Sequence, residues 1–251
     1  MAIELDVQAG VARITINRPE RMNAMNPAMY EALSEAWQQV RDDKRVRCAV
    51  ITGAGEKAFC AGADLKEPMT TLEDDSEFWM TQKNPLLNRG LELWKPVVAA
   101  VNGYCLGGGM TILLATDIRF SVPSAEFGVP EVRRGLLPGN GGTQRILEQL
   151  PHAIAMEMLL LGKRIDADTA ARWGLVNAVV DADDLLPTAL ECAERIAALP
   201  TGAVQASKEL ALRSRDMDRS TGLRMEMTML RMLNAMGDAV ERKEAFAHGD
   251  R

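Results

Sequence analysis

Asn102-Gly103-Tyr104-Cys105-Leu106-Gly107-Gly108-Gly109 reads as a turn between two regular elements. It follows an apolar run of buried-strand type at 97–101 and opens a helical stretch predicted over 106–115. Phe59-Cys60-Ala61-Gly62-Ala63-Asp64-Leu65-Lys66 repeats the arrangement after the strand-like run at 46–52. A helix start leaves backbone N–H groups without intrahelical acceptors and carries a partial positive charge. Two such turns aimed at one point would stabilise an oxyanion without a charged side chain. Taken singly, each is also an ordinary tight turn in which Gly supplies a positive φ.

Working outward, the first half of the chain alternates strand and helix signals. Runs at 3–7 and 11–16 flank Gly10 and predict a hairpin. Asn26-Pro27 opens a helix running to about Arg41, with Tyr30, Leu33, Trp37 and Val40 as its apolar stripe. Strands are expected at 118–122 and near Phe127. From Gly141 onward the pattern is mainly helical, with a strand at 176–180 and helices over 185–199, 202–214 and 221–236. Met225, Met229, Met232 and Met236 share one helical face, which suits a core or subunit interface.

Composition narrows the function. The chain has 251 residues, 47% of them hydrophobic, enough for one large core or two small ones. A net charge of −6, spread rather than blocked, argues against nucleic acid as a partner. No apolar run is long enough to span a membrane, and residues 1–10 resemble no targeting peptide. Cys48, Cys60, Cys105 and Cys192 lack metal-site spacing, so no metal site is expected and a reducing, cytoplasmic location follows. His152 and His248 are poor candidates for a triad, one at a helix start and one in a polar tail.

Several segments together resemble the crotonase family, also called the enoyl-CoA hydratase/isomerase superfamily. They are Ile16-Asn17-Arg18-Pro19-Glu20-Arg21-Met22-Asn23-Ala24, residues 58–66 and 95–109, Phe127-Gly128-Val129-Pro130-Glu131, Leu136 with Pro138-Gly139-Asn140-Gly141-Gly142-Thr143-Gln144-Arg145, and Ala171-Arg172-Trp173-Gly174-Leu175-Val176-Asn177. The resemblance spans nearly the whole chain and implies an α/β fold. That fold is a spiral of ββα units over residues 1–190, followed by a helical region at 191–251 that forms trimers, often paired into hexamers. It also implies an acyl-CoA thioester as substrate, with coenzyme A as part of the substrate and no prosthetic group.

By the same resemblance, the Ala63 and Gly108 N–H groups would hold the thioester oxygen while an enolate forms. Ala61, Ala63, Asp64, Leu65 and Lys66 would run along the adenine and pantetheine. Arg21 and Met22 would flank that arm, although Arg21 is equally well read as a solvated loop charge. Lys243 and Phe246 match poorly the C-terminal residues with which some relatives reach a neighbour's CoA.

Hydratases of this family carry two glutamates. Here the second is present as Glu131, and Thr111 occupies the position of the first. Thr111 could hydrogen-bond a water, or it could bond back to a helix carbonyl. A single base suits allylic isomerisation, with proton removal at C2 and return at C4, better than addition of water. Burial beside an acyl chain should raise the Glu131 pKa. Glu67, Asp117 and Glu126 are nearby acids, Asp117 reading as a backbone anchor. Trp79, Met80 and the adjoining Phe78 fall in a segment that would border the acyl pocket. A hydrolase or lyase of the same fold, or an inactive acyl-CoA binder, remains an alternative.

Overall fold

The computed structural model describes residues 2–67 and 84–235. Phe78, Trp79, Met80, Met236, Lys243, Phe246 and His248 lie outside the described residues. The chain is mixed α/β. One six-stranded sheet has the order β1 (Ile3–Gln8), β2 (Val11–Ile16), β3 (Cys48–Gly53), β5 (Val97–Val101), β7 (Ile118–Ser121) and β10 (Ala178–Val179). β1 and β2 form the expected hairpin across Ala9-Gly10; the remaining neighbours run parallel. A four-stranded sheet has the order β4 (Ala58–Cys60), β6 (Tyr104–Leu106), β8 (Glu126–Gly128) and β9 (Arg164–Asp166).

Between β3 and β8 the chain visits the two sheets alternately, one strand to each per turn of the spiral. β3 and β5 are buried at every residue, as parallel strands covered on both faces must be. Helix α1 (Pro27–Asp42) begins where Asn26 accepts the Met29 N–H at 3.1 Å. Its predicted stripe of Tyr30, Leu33, Trp37 and Val40 is buried. Lys95 Nζ satisfies its end by donating to the carbonyls of Val40 at 2.7 Å and Asp43 at 2.8 Å.

Helix α2 is shorter than expected, Gly108–Leu113, because 104–106 pair as β6. Then come α3 (Gly142–Gln149), α4 (His152–Leu161), α5 (Ala167–Arg172), α6 (Ala182–Ala197), α7 (Thr201–Arg213) and α8 (Arg219–Asn234). Helix α6 buries Leu185, Ala189, Ala193 and Ala197. Helices α7 and α8 bury no residue fully. Asp117 is the backbone anchor its position suggested: its Oδ2 accepts from Val97 N–H at 2.7 Å and from Lys208 Nζ of α7 at 2.7 Å.

Candidate active site

β4, β6 and β8 are parallel neighbours, so the segments leaving their C-terminal ends emerge side by side. Those segments carry Ala61 to Asp64, Gly107 to Gly109, and Pro130-Glu131. Strand spacing of about 4.8 Å brings them within reach of one small group. This is the usual place for a ligand in an open α/β sheet.

The turns pack without side chains between them. A Cβ on Gly62 would lie 3.0 Å from the Gly108 nitrogen, and one on Gly108 would lie 3.6 Å from the Ala63 nitrogen. A Cβ on Gly109 would collide with the Cys60 carbonyl. Met25 bridges Ala63 by donating to the Gly62 carbonyl and accepting from the Asp64 N–H, both at 2.8 Å, and neither bond engages the Ala63 N–H. Gly108 is the first residue of α2, so its N–H has no intrahelical acceptor. Helix α2 is only six residues long, so what this turn can offer an anion is local N–H donors rather than a long dipole.

Glu131 lies in the short 3-10 turn Pro130–Arg134 that follows β8. One carboxylate oxygen, Oε1, faces Gly107, where a Cβ would lie 3.3 Å away. The other, Oε2, is buried and accepts no hydrogen bond. Loss of water around it raises the Glu131 pKa. The hydroxyl of Tyr30 completes this wall, 2.8 Å from the position of a Gly108 Cβ. Burial pushes that phenol above its ordinary value, so it stays neutral.

Thr111 takes the backbone option. Its hydroxyl donates to the Gly108 carbonyl at 3.0 Å and accepts from Asn88 Nδ2 at 3.0 Å. Asn88 escaped the sequence reading: no local pattern links it to a residue in α2.

The remaining predicted positions divide. Met22 and Ala61 line a cleft of ≈ 500 Å³ together with Leu106, Pro130, Arg133, Arg134 and Arg164. Leu65 is 59% exposed beside it in sequence, and Lys66 is exposed. Asp64 is buried and structural in its bonding, paired with Arg18 at 2.8 Å and accepting the Lys66 N–H at 2.9 Å. Arg21 is exposed and is not a lining residue of that cleft. The three cleft arginines were not anticipated; Arg164 arrives from β9, which runs antiparallel to β8.

Glu67 accepts from Arg18 at 2.9 Å and Asn26 at 2.7 Å, and Glu126 pairs with Arg164 at 3.2 Å. Burial pushes the Cys48 and Cys60 thiols up to about 12 and Cys105 well above its ordinary value, which makes poor nucleophiles of them. His152 is exposed at the start of α4. Among the described residues no group of three or more His, Cys, Asp or Glu could hold a metal, and no helix is long and apolar enough to cross a membrane.

The sequence model of the enoyl-CoA hydratase/isomerase family matches residues 6–248. The chain belongs to that family. Among curated relatives, (E)-benzylidenesuccinyl-CoA hydratase of Thauera aromatica is 40% identical over 252 residues, covering 100% of this chain and 97% of the relative. Short-chain-enoyl-CoA hydratase of Clostridium acetobutylicum is 40% identical over 225 residues, covering 88% and 85%. Carnitinyl-CoA dehydratase of Proteus mirabilis is 36% identical over 251 residues, covering 98% and 95%. The crystal structure of an enoyl-CoA hydratase from Bacillus anthracis superposes with a TM-score of 0.90 at 35% identity, covering 99% of this chain and 97% of that one. The enzyme is therefore of the hydratase/isomerase type, in a family that acts on CoA thioesters, and has the crotonase fold.

Proposed function

We propose that this enoyl-CoA hydratase/isomerase-family enzyme adds water reversibly to a 2-enoyl-CoA thioester through an enolate, with Glu131 as general acid and base. The observation that carries this reading is the Glu131 carboxylate. Its Oε2 is buried without a partner and its Oε1 rests against the turn that presents the Gly108 N–H. In this reading the N–H groups of Ala63 and Gly108 donate hydrogen bonds to the thioester oxygen, and these strengthen as charge grows on it. Glu131 takes a proton from the water that attacks C3 and returns a proton to C2. Desolvation favours its neutral form, which keeps the proton available for return.

The coenzyme A arm is assigned to the cleft lined by Met22 and Ala61, continuing along Leu65 and Lys66. Arg133 and Arg134, beside an Arg164 that is paired with Glu126, give that cleft positive charge suited to phosphates. Asp64 contributes by fixing the turn through Arg18.

Isomerisation is the second reading. It is favoured by Thr111, whose hydroxyl is committed to Gly108 and Asn88 and so leaves one carboxylate in the described site. The named relatives act on benzylidenesuccinyl, short-chain enoyl and carnitinyl thioesters, so the acyl group is best found with a panel.

Incubating that panel in D2O, with products identified by mass spectrometry, tests the proposal. Hydration with label at C2 supports it. Label at C4 with a shifted double bond replaces it with isomerisation, and free CoA replaces it with hydrolysis. Binding with neither label nor product indicates an inactive acyl-CoA binder.

The C-terminal helices are proposed to mediate self-association, as a trimer or a pair of trimers. Leu223, Met227 and Leu230 support this, since they lie at i, i+4 and i+7 on α8 and are 54%, 49% and 47% exposed.

A further inference from the structure

Asn88 is held more firmly than a loop residue needs to be. Its turn closes on itself, with Leu86 N–H donating to Arg89 O at 2.8 Å and Arg89 N–H to Leu86 O at 2.9 Å. Ser34 Oγ of α1 donates to the Pro85 carbonyl at 2.8 Å, and Arg145 Nη1 of α3 donates to the Asn88 carbonyl at 3.1 Å. Its own closure and two other elements, α1 and α3, thus fix the turn beside α2. Asn88 is 4% exposed.

The direction of its hydrogen bonds is set by its neighbour. Thr111 has one hydroxyl proton, which it gives to the Gly108 carbonyl. With that proton on the Gly108 carbonyl, the hydroxyl accepts from Asn88 Nδ2 at 3.0 Å. The other end of the amide, Oδ1, is buried and accepts nothing. A buried carbonyl oxygen without a donor is costly, and native structures resolve such cases with water or ligand. Asn88 contacts Thr111 on α2, the helix whose first residue is Gly108 and whose preceding Gly107 faces Glu131.

Addition of water needs two acceptors. Glu131 takes one hydrogen of the water; the second must also be held if the oxygen lone pair is to face C3. We propose that Asn88 Oδ1 accepts that second hydrogen, so that Asn88 orients the water from which Glu131 removes a proton. This rests on the hydration reading above. The water oxygen bonds to C3, the π electrons move to the thioester oxygen, and the proton taken by Glu131 returns to C2. At the end Asn88 holds the hydroxyl of the product, its own protonation unchanged throughout.

The test compares Asn88→Ala and Asn88→Asp with the parent in two assays. One is hydration of crotonyl-CoA and cinnamoyl-CoA; the other is C2 deuterium exchange of butyryl-CoA, which needs the enolate but no added water. Asn88→Ala is expected to lower the hydration kcat by of order 10²-fold, the usual cost of a misplaced reactant. KM and C2 exchange should stay within about twofold, since neither uses the water. Asn88→Asp keeps an oxygen acceptor, so it should recover part of the rate and add an ionisation to the pH profile. Full hydration by Asn88→Ala would overturn the proposal alone. Equal loss of hydration and exchange in both variants, with a lowered Tm, would also overturn it by making Asn88 purely structural. A parent enzyme that exchanges C2 hydrogens yet never adds water would overturn the hydration reading itself.

Discussion

Glu131 Oε1 and Gly107 meet so closely that a Cβ on Gly107 would lie 3.3 Å from the carboxylate. Gly107 also has φ 55° and ψ −122°, a conformation that side-chain-bearing residues rarely adopt. The two constraints act together. The backbone bends to present the Gly108 N–H, and the missing side chain makes room for the acid. Gly107→Ala should therefore lose about 1–3 kcal/mol of stability from backbone strain and lower kcat by displacing Glu131. Thermal unfolding and steady-state kinetics on the same preparation would check both. An alanine variant with unchanged Tm and kcat would contradict the close approach.

The environment of Glu131 sets a pH dependence with a definite sign. Burial raises its folded-state pKa, so the folded protein holds this proton more tightly than the unfolded chain. Between the ordinary carboxylate value and the raised one, stability falls as pH rises. Glu131→Gln removes that penalty. The variant should lose about 10²–10⁴-fold in kcat while still binding acyl-CoA. Its Tm at neutral pH should equal or exceed that of the parent, with the difference vanishing below the ordinary carboxylate range. In the parent, kcat/KM should rise with pH through the raised value. A Tm difference that grows on acidification would reverse the assignment of the shift.

Two asparagines of the motif segments hold the scaffold rather than the substrate. Asn102 Oδ1 accepts the Gly53 N–H at 3.2 Å, and its Nδ2 donates to Gly55 O at 2.6 Å and Ala58 O at 3.2 Å. Asn23 donates to the same Ala58 carbonyl at 2.6 Å and to Ala54 O at 3.0 Å. Together they tie the 53–58 loop to β4, whose far end carries Ala61. Asn102→Ala strands buried main-chain groups at about 1–3 kcal/mol each. A fall in Tm of roughly 2–4 °C per kcal/mol is expected, with kcat of the folded enzyme changed far less. Calorimetry beside activity at low temperature separates the two effects.

How far the sequence disclosed this arrangement depended on the length over which each signal repeats. Helix α1 was legible because Tyr30, Leu33, Trp37 and Val40 recur at helical spacing over three turns and a cap marks its start. β3 and β5 were legible as apolar runs. β4, β6 and β9 have three residues each, too short for a period, and β9 was missed altogether. Predicting a helix from 106 overran β6, because a buried strand leading into a buried helix is apolar throughout. The meeting of Gly108, Ala63 and Glu131 came from family resemblance; pattern alone does not order strands β4, β6 and β8. The Asn88–Thr111 contact and the cleft arginines depend on tertiary placement, which composition and spacing do not encode.

The last expectation concerns α8, whose Leu223, Met227 and Leu230 form an exposed apolar stripe. Met225, Met229 and Met232 share the opposite face of this helix but differ in exposure: the first two are half-buried and Met232 is 65% exposed. An amphipathic helix leaves such a stripe uncovered only at a cost in solubility, and a second copy of the chain is the proposed cover. Sedimentation should therefore give a mass of at least three chains. Met227→Glu places a charge in the middle of the stripe and should shift the protein toward monomer. Circular dichroism would show that the fold survives, since Met227 contributes to no fully buried contact. A parent protein that sediments as a monomer at micromolar concentration would refute the assignment of this face.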